Sequence, residues 1–211
     1  MRLPKLKMHR LRRISMEEAT WLERKMTEEE VWGAVKECGN NKSPGPDGFT
    51  ARFIKKFWGI LKEDLMKVFD WFWEKEYLSA GCNASFLTLI PKVANPVDLN
   101  DFRPISLIGI LYKLISKVLA ERLKKVTGRV ISNVQSAFVK GRPILDGVLI
   151  ANETIDFLRK TKRKGLVFKV DFEKAYDTVD WGFLLDGLEN MGFGEKWRKW
   201  IKTCLRSSRI F

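Results

Sequence analysis

Asp171 is the residue whose type and setting point most directly to chemistry. It ends an apolar run, Leu166, Val167, Phe168 and Val170, within the stretch GLVFKVDFEKAYDTVDW from Gly165 to Trp181. The run reads as a mostly buried β-strand, and a carboxylate at a strand's carboxyl end emerges where the next turn opens a crevice. Such a position suits a metal ligand. Asp177, six residues on, reads as a helix-proximal residue that caps or pairs with a nearby lysine. Around this carboxylate the charge is concentrated in blocks. Residues 121–165 carry 11 Lys/Arg against 4 Asp/Glu, residues 1–26 carry 8 against 3, and residues 195–211 carry 6 against 1, within a net charge of +13. Three basic blocks around a candidate metal ligand favour a polyanionic partner, because phosphate neutralisation is the main sequence-independent source of affinity for nucleic acid.

The elements that must position these residues follow from spacing. Thr27 and Glu30 form a capping box ahead of Val31, Ala34, Val35 and Cys38, one face of a short helix that Gly39 can end. Asn40 to Gly48, NNKSPGPDG, is a loop, with Pro44 and Pro46 fixing φ and Gly45 and Gly48 available for positive φ. Phe53, Phe57, Leu61, Leu65, Phe69 and Phe72 continue one long helical stripe that Trp58, Trp71 and Trp73 widen. SFLTLIPK (85–92) reads as a strand, and the turn-rich segment 94–101 leads into FRPISLI, so a hairpin is the simplest arrangement. A helix over 108–126 follows, with Leu111, Leu114, Ile115, Val118 and Leu119 on its stripe, Lys113 and Lys117 off it, and Gly128 to close it. Helices over 144–159, 181–190 and 195–205 flank the strand that ends at Asp171. Helices and strands without βαβ regularity define an α+β class.

Composition sets the outer bounds. A chain of 211 residues, 45% hydrophobic and 12% aromatic, can bury a sizeable core, which excludes a disordered chain. Cys38, Cys82 and Cys204 are odd in number and widely spaced, the pattern of reduced core thiols in an intracellular protein. The longest apolar run, 105–120, is broken by Lys113 and Lys117, short of the roughly 18 apolar residues of a membrane span. No membrane partner is expected. The basic segment before Glu17 could mimic a transit peptide, but reads more simply as part of a basic linker over residues 1–26, which leaves nucleus or cytoplasm as the expected location.

Five strings, NKSPGPDGF, LIPK, DFRPISL, QSAF-x-x-GR and DFEKAYD, occur in this order between Thr27 and Phe211. Together they resemble the reverse transcriptase domain of non-LTR, LINE-type retrotransposons, most closely those of plants. The resemblance implies a right-hand polymerase, with fingers over residues 27–165 and the beginning of the palm over 166–211, truncated before the Asp-Asp motif. It implies that Lys92 and Arg103 contact the triphosphate of the incoming nucleotide, where fixed cations offset charge building on phosphoryl oxygens. It makes Gln135, Ser136, Ala137 and Phe138, with Arg142 in the adjacent loop, the template contact; an amide and an aromatic ring suit a single strand of any sequence. Without the resemblance Phe138 would be read as a core residue. Lys42, in the NKSPGPDG loop, looks like part of a segment that touches template or nucleotide.

The resemblance assigns Asp171 as the first metal ligand, Phe172 as a backbone-carbonyl ligand, and Tyr176 as the steric gate that selects deoxynucleotides. Nucleotidyl transfer of this kind uses two Mg²⁺ about 3.5 to 4 Å apart, and one carboxylate cannot hold both. The expected function is therefore RNA-directed DNA polymerisation by descent, with RNA template, DNA primer and deoxynucleoside triphosphates as partners. Because two adjacent aspartates occur nowhere in the sequence, these residues alone are expected to be inactive. The alternatives are a non-catalytic RNA- or DNA-binding remnant and a maturase-like RNA-binding protein.

Overall fold

A computed structural model describes residues 11–79, 81–139, 141–172, 178–206 and 209–210. Its first helices start where side chains can close the free amides of a helix start. Ser15 accepts from Glu18 N while Glu18 returns to Ser15 N, ahead of α1 (Met16–Glu23). Thr27 and Glu30 form the expected box at the start of α2 (Glu28–Glu37), and Val31, Ala34 and Val35 are buried on its expected face. Cys38, in an extended conformation, caps α2 instead of Gly39.

The single long helix expected over the Phe53–Phe72 stripe is two helices. Thr50 caps α3 (Ala51–Lys56), and the chain bends at Phe57 (φ −108°, ψ 20°) before α4 (Trp58–Lys75). Only the later half of the stripe, Leu65, Phe69 and Phe72, is core; Phe53 and Trp71 are exposed. The i+4 spacing of the stripe carries through the break at Phe57, but α3 buries Ala51 and Ile54 instead of Phe53.

The hairpin forms as expected. Strand β1 (Ala84–Pro91) pairs antiparallel with β2 (Phe102–Ile108), in a register from Ser85 opposite Ile108 to Pro91 opposite Phe102. Helix α5 (Ile110–Val130) follows, with Leu114, Ile115, Val118 and Leu119 buried. It runs through Gly128 rather than ending there. Next come α6 (Ile144–Lys160), α7 (Trp181–Asn190), capped by Asp180 on Phe183 N, and α8 (Glu195–Arg206). A two-residue strand, β3 (Arg209–Ile210), pairs parallel with β1, giving the sheet order β2-β1-β3.

The strand expected over 166–170 does not form: residues 163–172 belong to no helix or strand. Leu166 is 91% exposed, and Val167, Phe168 and Val170 are exposed with it. A strand needs a neighbour for its amides and carbonyls, and among the described residues this segment has none.

The chain packs as two units, residues 1–19 with 123–193, and residues 20–122 with 194–211. In the second, Leu22, Val31, Val35, Phe69, Phe72, Leu114, Ile115, Trp197 and Trp200 are fully buried, and the Trp200 ring lies 5.7 Å from Phe72 and 6.1 Å from Trp197. In the first, Ile14, Val126, Val130 and Phe193 are buried, whereas α6 buries no residue at all. Among the described residues no helix is long and apolar enough to cross a membrane. The described elements are mixed, helices together with one small sheet.

Candidate nucleic-acid and nucleotide site

The β1–β2 register places the two basic residues singled out in the sequence. Arg103 lies opposite Ile90, and the pairing continues past the strand end, because Lys92 N donates to Asp101 O at 2.7 Å. Alternation along β1 puts Lys92 on the same face as Ile90, hence on the face of Arg103, as diagonal neighbours. Both are exposed. Lys92 Nζ donates to Asn100 O at 2.8 Å, so its ammonium lies against the connecting turn. That turn is set by Asp101, whose carboxylate accepts from Val97 N (3.0 Å) and Asp98 N (3.1 Å). These two amide bonds hold the Asp101 carboxyl below its ordinary range, with the Lys92 charge adding to the effect.

NKSPGPDGF docks on the end of DFRPISL. Asp47 accepts from Ile110 N at the start of α5 (2.5 Å) and from Phe49 N (3.2 Å). Gly45 sits against the Ile108–Gly109 peptide, where no Cβ fits. Beside this junction lies a cavity of about 370 Å³ whose lining includes Lys42, Ser43, Ser106 and Lys113. Lys42 is exposed as expected; Lys113, read as lying off the apolar stripe, is half-buried at this cavity. Asp47 is a positioning residue that the turn-rich string does not single out, although a short acidic side chain in a turn is a common partner for free backbone amides.

Residues 132–139 and 141–142 form a tight loop. Gln135 N donates to Ser132 O, and the Gln135 side-chain amide donates to Ala137 O at 3.2 Å. Arg142 folds back over the loop. Its Nη1 donates to Ser132 O (2.5 Å) and Gln135 O (2.7 Å), and its Nη2 to Gly128 O (3.2 Å) and Ile131 O (3.3 Å). Ser136 Oγ lies close to Gly147, at 3.1 Å from where a Cβ would be. Phe138, a core residue on composition alone, is 92% exposed and has φ +64°. A non-glycine residue in the left-handed region costs free energy and persists only where its surroundings hold it there.

Asp171 and Phe172 are both exposed in the segment without regular structure. Among the described residues no cluster of three His, Cys, Asp or Glu could hold a metal ion. One carboxylate and a backbone carbonyl do not by themselves furnish a two-ion Mg²⁺ site. Tyr176 and Asp177 lie outside the described residues.

Comparison with known proteins extends these observations. The pattern of the family "Reverse transcriptase (RNA-dependent DNA polymerase)" matches residues 90–211. The chain is 34% identical over 187 residues to the 149 kDa protein of transposon TX1 of Xenopus laevis, which covers 89% of this chain and 14% of that protein. It is 26% identical over 156 residues to the Pol polyprotein of the type-1 retrotransposable element R1 of Bradysia coprophila, covering 72% of this chain and 15% of the relative. It is also 26% identical over 189 residues to the Pol polyprotein of the type-1 retrotransposable element R2 of Popillia japonica, covering 88% and 25%. The chain thus spans a quarter or less of the length of these relatives. The matched span holds the Lys92–Arg103 hairpin, the Arg142-braced loop and Asp171, and on this ground the chain belongs to the reverse transcriptase (RNA-dependent DNA polymerase) family, with proteins of non-LTR retrotransposons as its relatives.

Proposed function

We propose that these residues are the fingers and the opening of the palm of an RNA-directed DNA polymerase of a non-LTR retrotransposon. The observation that carries this reading is the hairpin register, which puts Lys92 and Arg103 on one exposed face within the span that matches the family. Two fixed cations on a hairpin face can hold a triphosphate and offset the charge that grows on its oxygens during transfer. The loop 132–142 contacts the template: Phe138 offers a ring for an unpaired base, and Gln135 and its neighbours shape the surface around it. Asp171 is the first carboxylate ligand to Mg²⁺, with the Phe172 carbonyl beside it, and Tyr176 is the gate against a ribose 2′-hydroxyl. The Pol polyproteins among the relatives favour this reading over a non-catalytic remnant or a maturase-like protein.

The test uses the purified chain, a labelled single-stranded RNA and a photoreactive deoxynucleoside triphosphate. Log K for RNA should fall linearly with log salt. Lys92→Ala with Arg103→Ala should lower nucleotide crosslinking at least tenfold while RNA affinity changes by less than about threefold, since both cations serve the triphosphate and the basic blocks that carry RNA affinity are kept. Undiminished crosslinking in that double variant would refute the triphosphate assignment. A flat salt response would refute the nucleic-acid role. In a polymerase that contains this segment, Asp171→Asn should abolish extension with RNA binding retained, and Tyr176→Ala should raise ribonucleotide incorporation.

A further inference from the structure

We propose that Arg142 does not contact nucleic acid: it is a positioning residue that holds the 128–142 segment so that Phe138 stands free as the stacking platform for an unpaired template base. The inference rests on the template role proposed above for this loop and changes the part that the most conspicuous cation in it plays. A guanidinium has four N–H donors on its two terminal nitrogens, and in Arg142 all four are committed to backbone carbonyls. Those carbonyls belong to Gly128, Ile131, Ser132 and Gln135. They come from the last turn of α5, the residue after it, and the loop itself, so one side chain closes the loop onto the helix end. To grip a phosphate with its terminal nitrogens, Arg142 would have to release these bonds and with them the closure of the loop onto the helix end.

What the brace presents is unusual. Three residues beyond Gln135, Phe138 is 92% exposed on a left-handed backbone, conditions that neither burial nor local preference favours. Such a conformation persists only where the surroundings over-determine it, and the Arg142 bonds on the Ser132 and Gln135 carbonyls, together with Gln135 Nε2 on Ala137 O and Arg142 N on Val139 O, supply that constraint from both sides. The ring is left with an open face, which suits stacking by any base. Lysine could not replace Arg142 in this role, since a single ammonium cannot span four carbonyls in a planar fork.

The experiment measures affinity of the full chain for a mixed-sequence single-stranded RNA oligonucleotide against salt. The set is the unaltered chain, Phe138→Ser, Arg142→Lys, Arg142→Gln, and Phe138→Ser combined with Arg142→Gln. Loss of one stacked base should weaken binding on the order of 10-fold to 100-fold in Phe138→Ser. Arg142→Lys, which keeps the charge, should weaken it comparably, and Arg142→Gln should do so without altering the salt slope. The double variant should be no weaker than Phe138→Ser alone, because Arg142 acts through Phe138. A role in stability alone would give additive losses, and would overturn the proposal. So would near-normal binding by Arg142→Lys, or a slope reduced by about 0.7 in Arg142→Gln, the signature of a lost phosphate contact on a single strand. If Phe138→Ser binds normally, the template role of the loop fails. Should Arg142→Gln not fold, Arg142→Lys and Phe138→Ser still decide between brace and phosphate contact.

Discussion

Gly45 has no room for a side chain: a Cβ there would lie 2.4 Å from the Ile108 carbonyl carbon and 2.5 Å from Gly109 N. The neighbouring atoms are backbone and cannot swing aside, so Gly45→Ala should separate the NKSPGPDGF loop from the start of α5 and cost about 1–3 kcal/mol. Gly33 offers the opposite case. It sits inside α2, with open space where a Cβ would be, so Gly33→Ala should raise stability by about 0.5–1 kcal/mol. Urea unfolding of both variants beside the unaltered chain checks the pair; equal midpoints would refute the packing account. In the sequence, Gly45 and Gly48 look alike, two glycines in a turn-rich string. Only Gly48 uses positive φ, at 71°, while Gly45 is required by a peptide some sixty residues away, which no local pattern encodes. Phe138 carries the same lesson: an aromatic residue is read as core by default, and its exposure depends on an arginine four residues later whose bonds the sequence does not display.

Four elements meet at Arg122, on the inner face of α5. It is 1% exposed, and all five of its N–H groups are used: Nε and Nη2 grip both oxygens of Glu30 at 3.0 and 2.8 Å, while the rest reach the carbonyls of Leu22, Arg24 and Lys25. One side chain thereby joins α1, the α1–α2 turn, α2 and α5. Removing it leaves Glu30 and three carbonyls with lost partners, so Arg122→Leu should destabilise the fold by about 3–5 kcal/mol. Burial works to raise the Glu30 carboxyl, but the Arg122 bonds, the Thr27 amide and the charges of Arg122 and Arg24 outweigh it and hold it below 4.5. A depressed folded value means that the contribution is fully present above the unfolded value near 4.5, and is lost as pH falls through the folded one. Thermal melts from pH 6 to 3 should therefore fall more steeply for the unaltered chain than for Glu30→Gln, which starts lower. At this scale the sequence is most legible where a cap and a stripe coincide, as in α2, whose Thr27–Glu30 box opens the helix and whose Val31, Ala34 and Val35 are buried. It hid Arg122 because a lone charge at the i+4 position after Val118 looks like the stripe's edge, and only its partners turn it into core. The segment 166–170 departs from its strand pattern for the complementary reason. Its β-branched composition is genuine, but strand formation is decided by neighbours, and none of the described strands pairs with it.

Across the molecule the two units differ in how much they bury. The unit of residues 20–122 and 194–211 holds most of the buried aromatic and aliphatic side chains, whereas the other exposes Ile144, Leu145, Val148, Leu149 and Phe157 on α6, together with Leu166, Phe168 and Phe172. Local opening costs little free energy where few apolar contacts must break. Native-state hydrogen exchange should consequently rank the chain: amides of α5 from Leu114 to Leu119 exchange slowest, those of α6 are intermediate because their helical bonds lack a covering layer, and those of residues 163–172 exchange near the unprotected rate. Dilution separates two accounts of the last group. If 166–170 stays unprotected at every concentration, the segment is unpaired in solution. If protection there rises with concentration while α5 is unchanged, the apolar run is pairing between copies through its free backbone groups, as an unpaired β-prone segment tends to do. Slow exchange at 166–170 that is independent of concentration would mean that the strand read from the sequence forms within one chain after all, and would overturn the unpaired placement of Asp171.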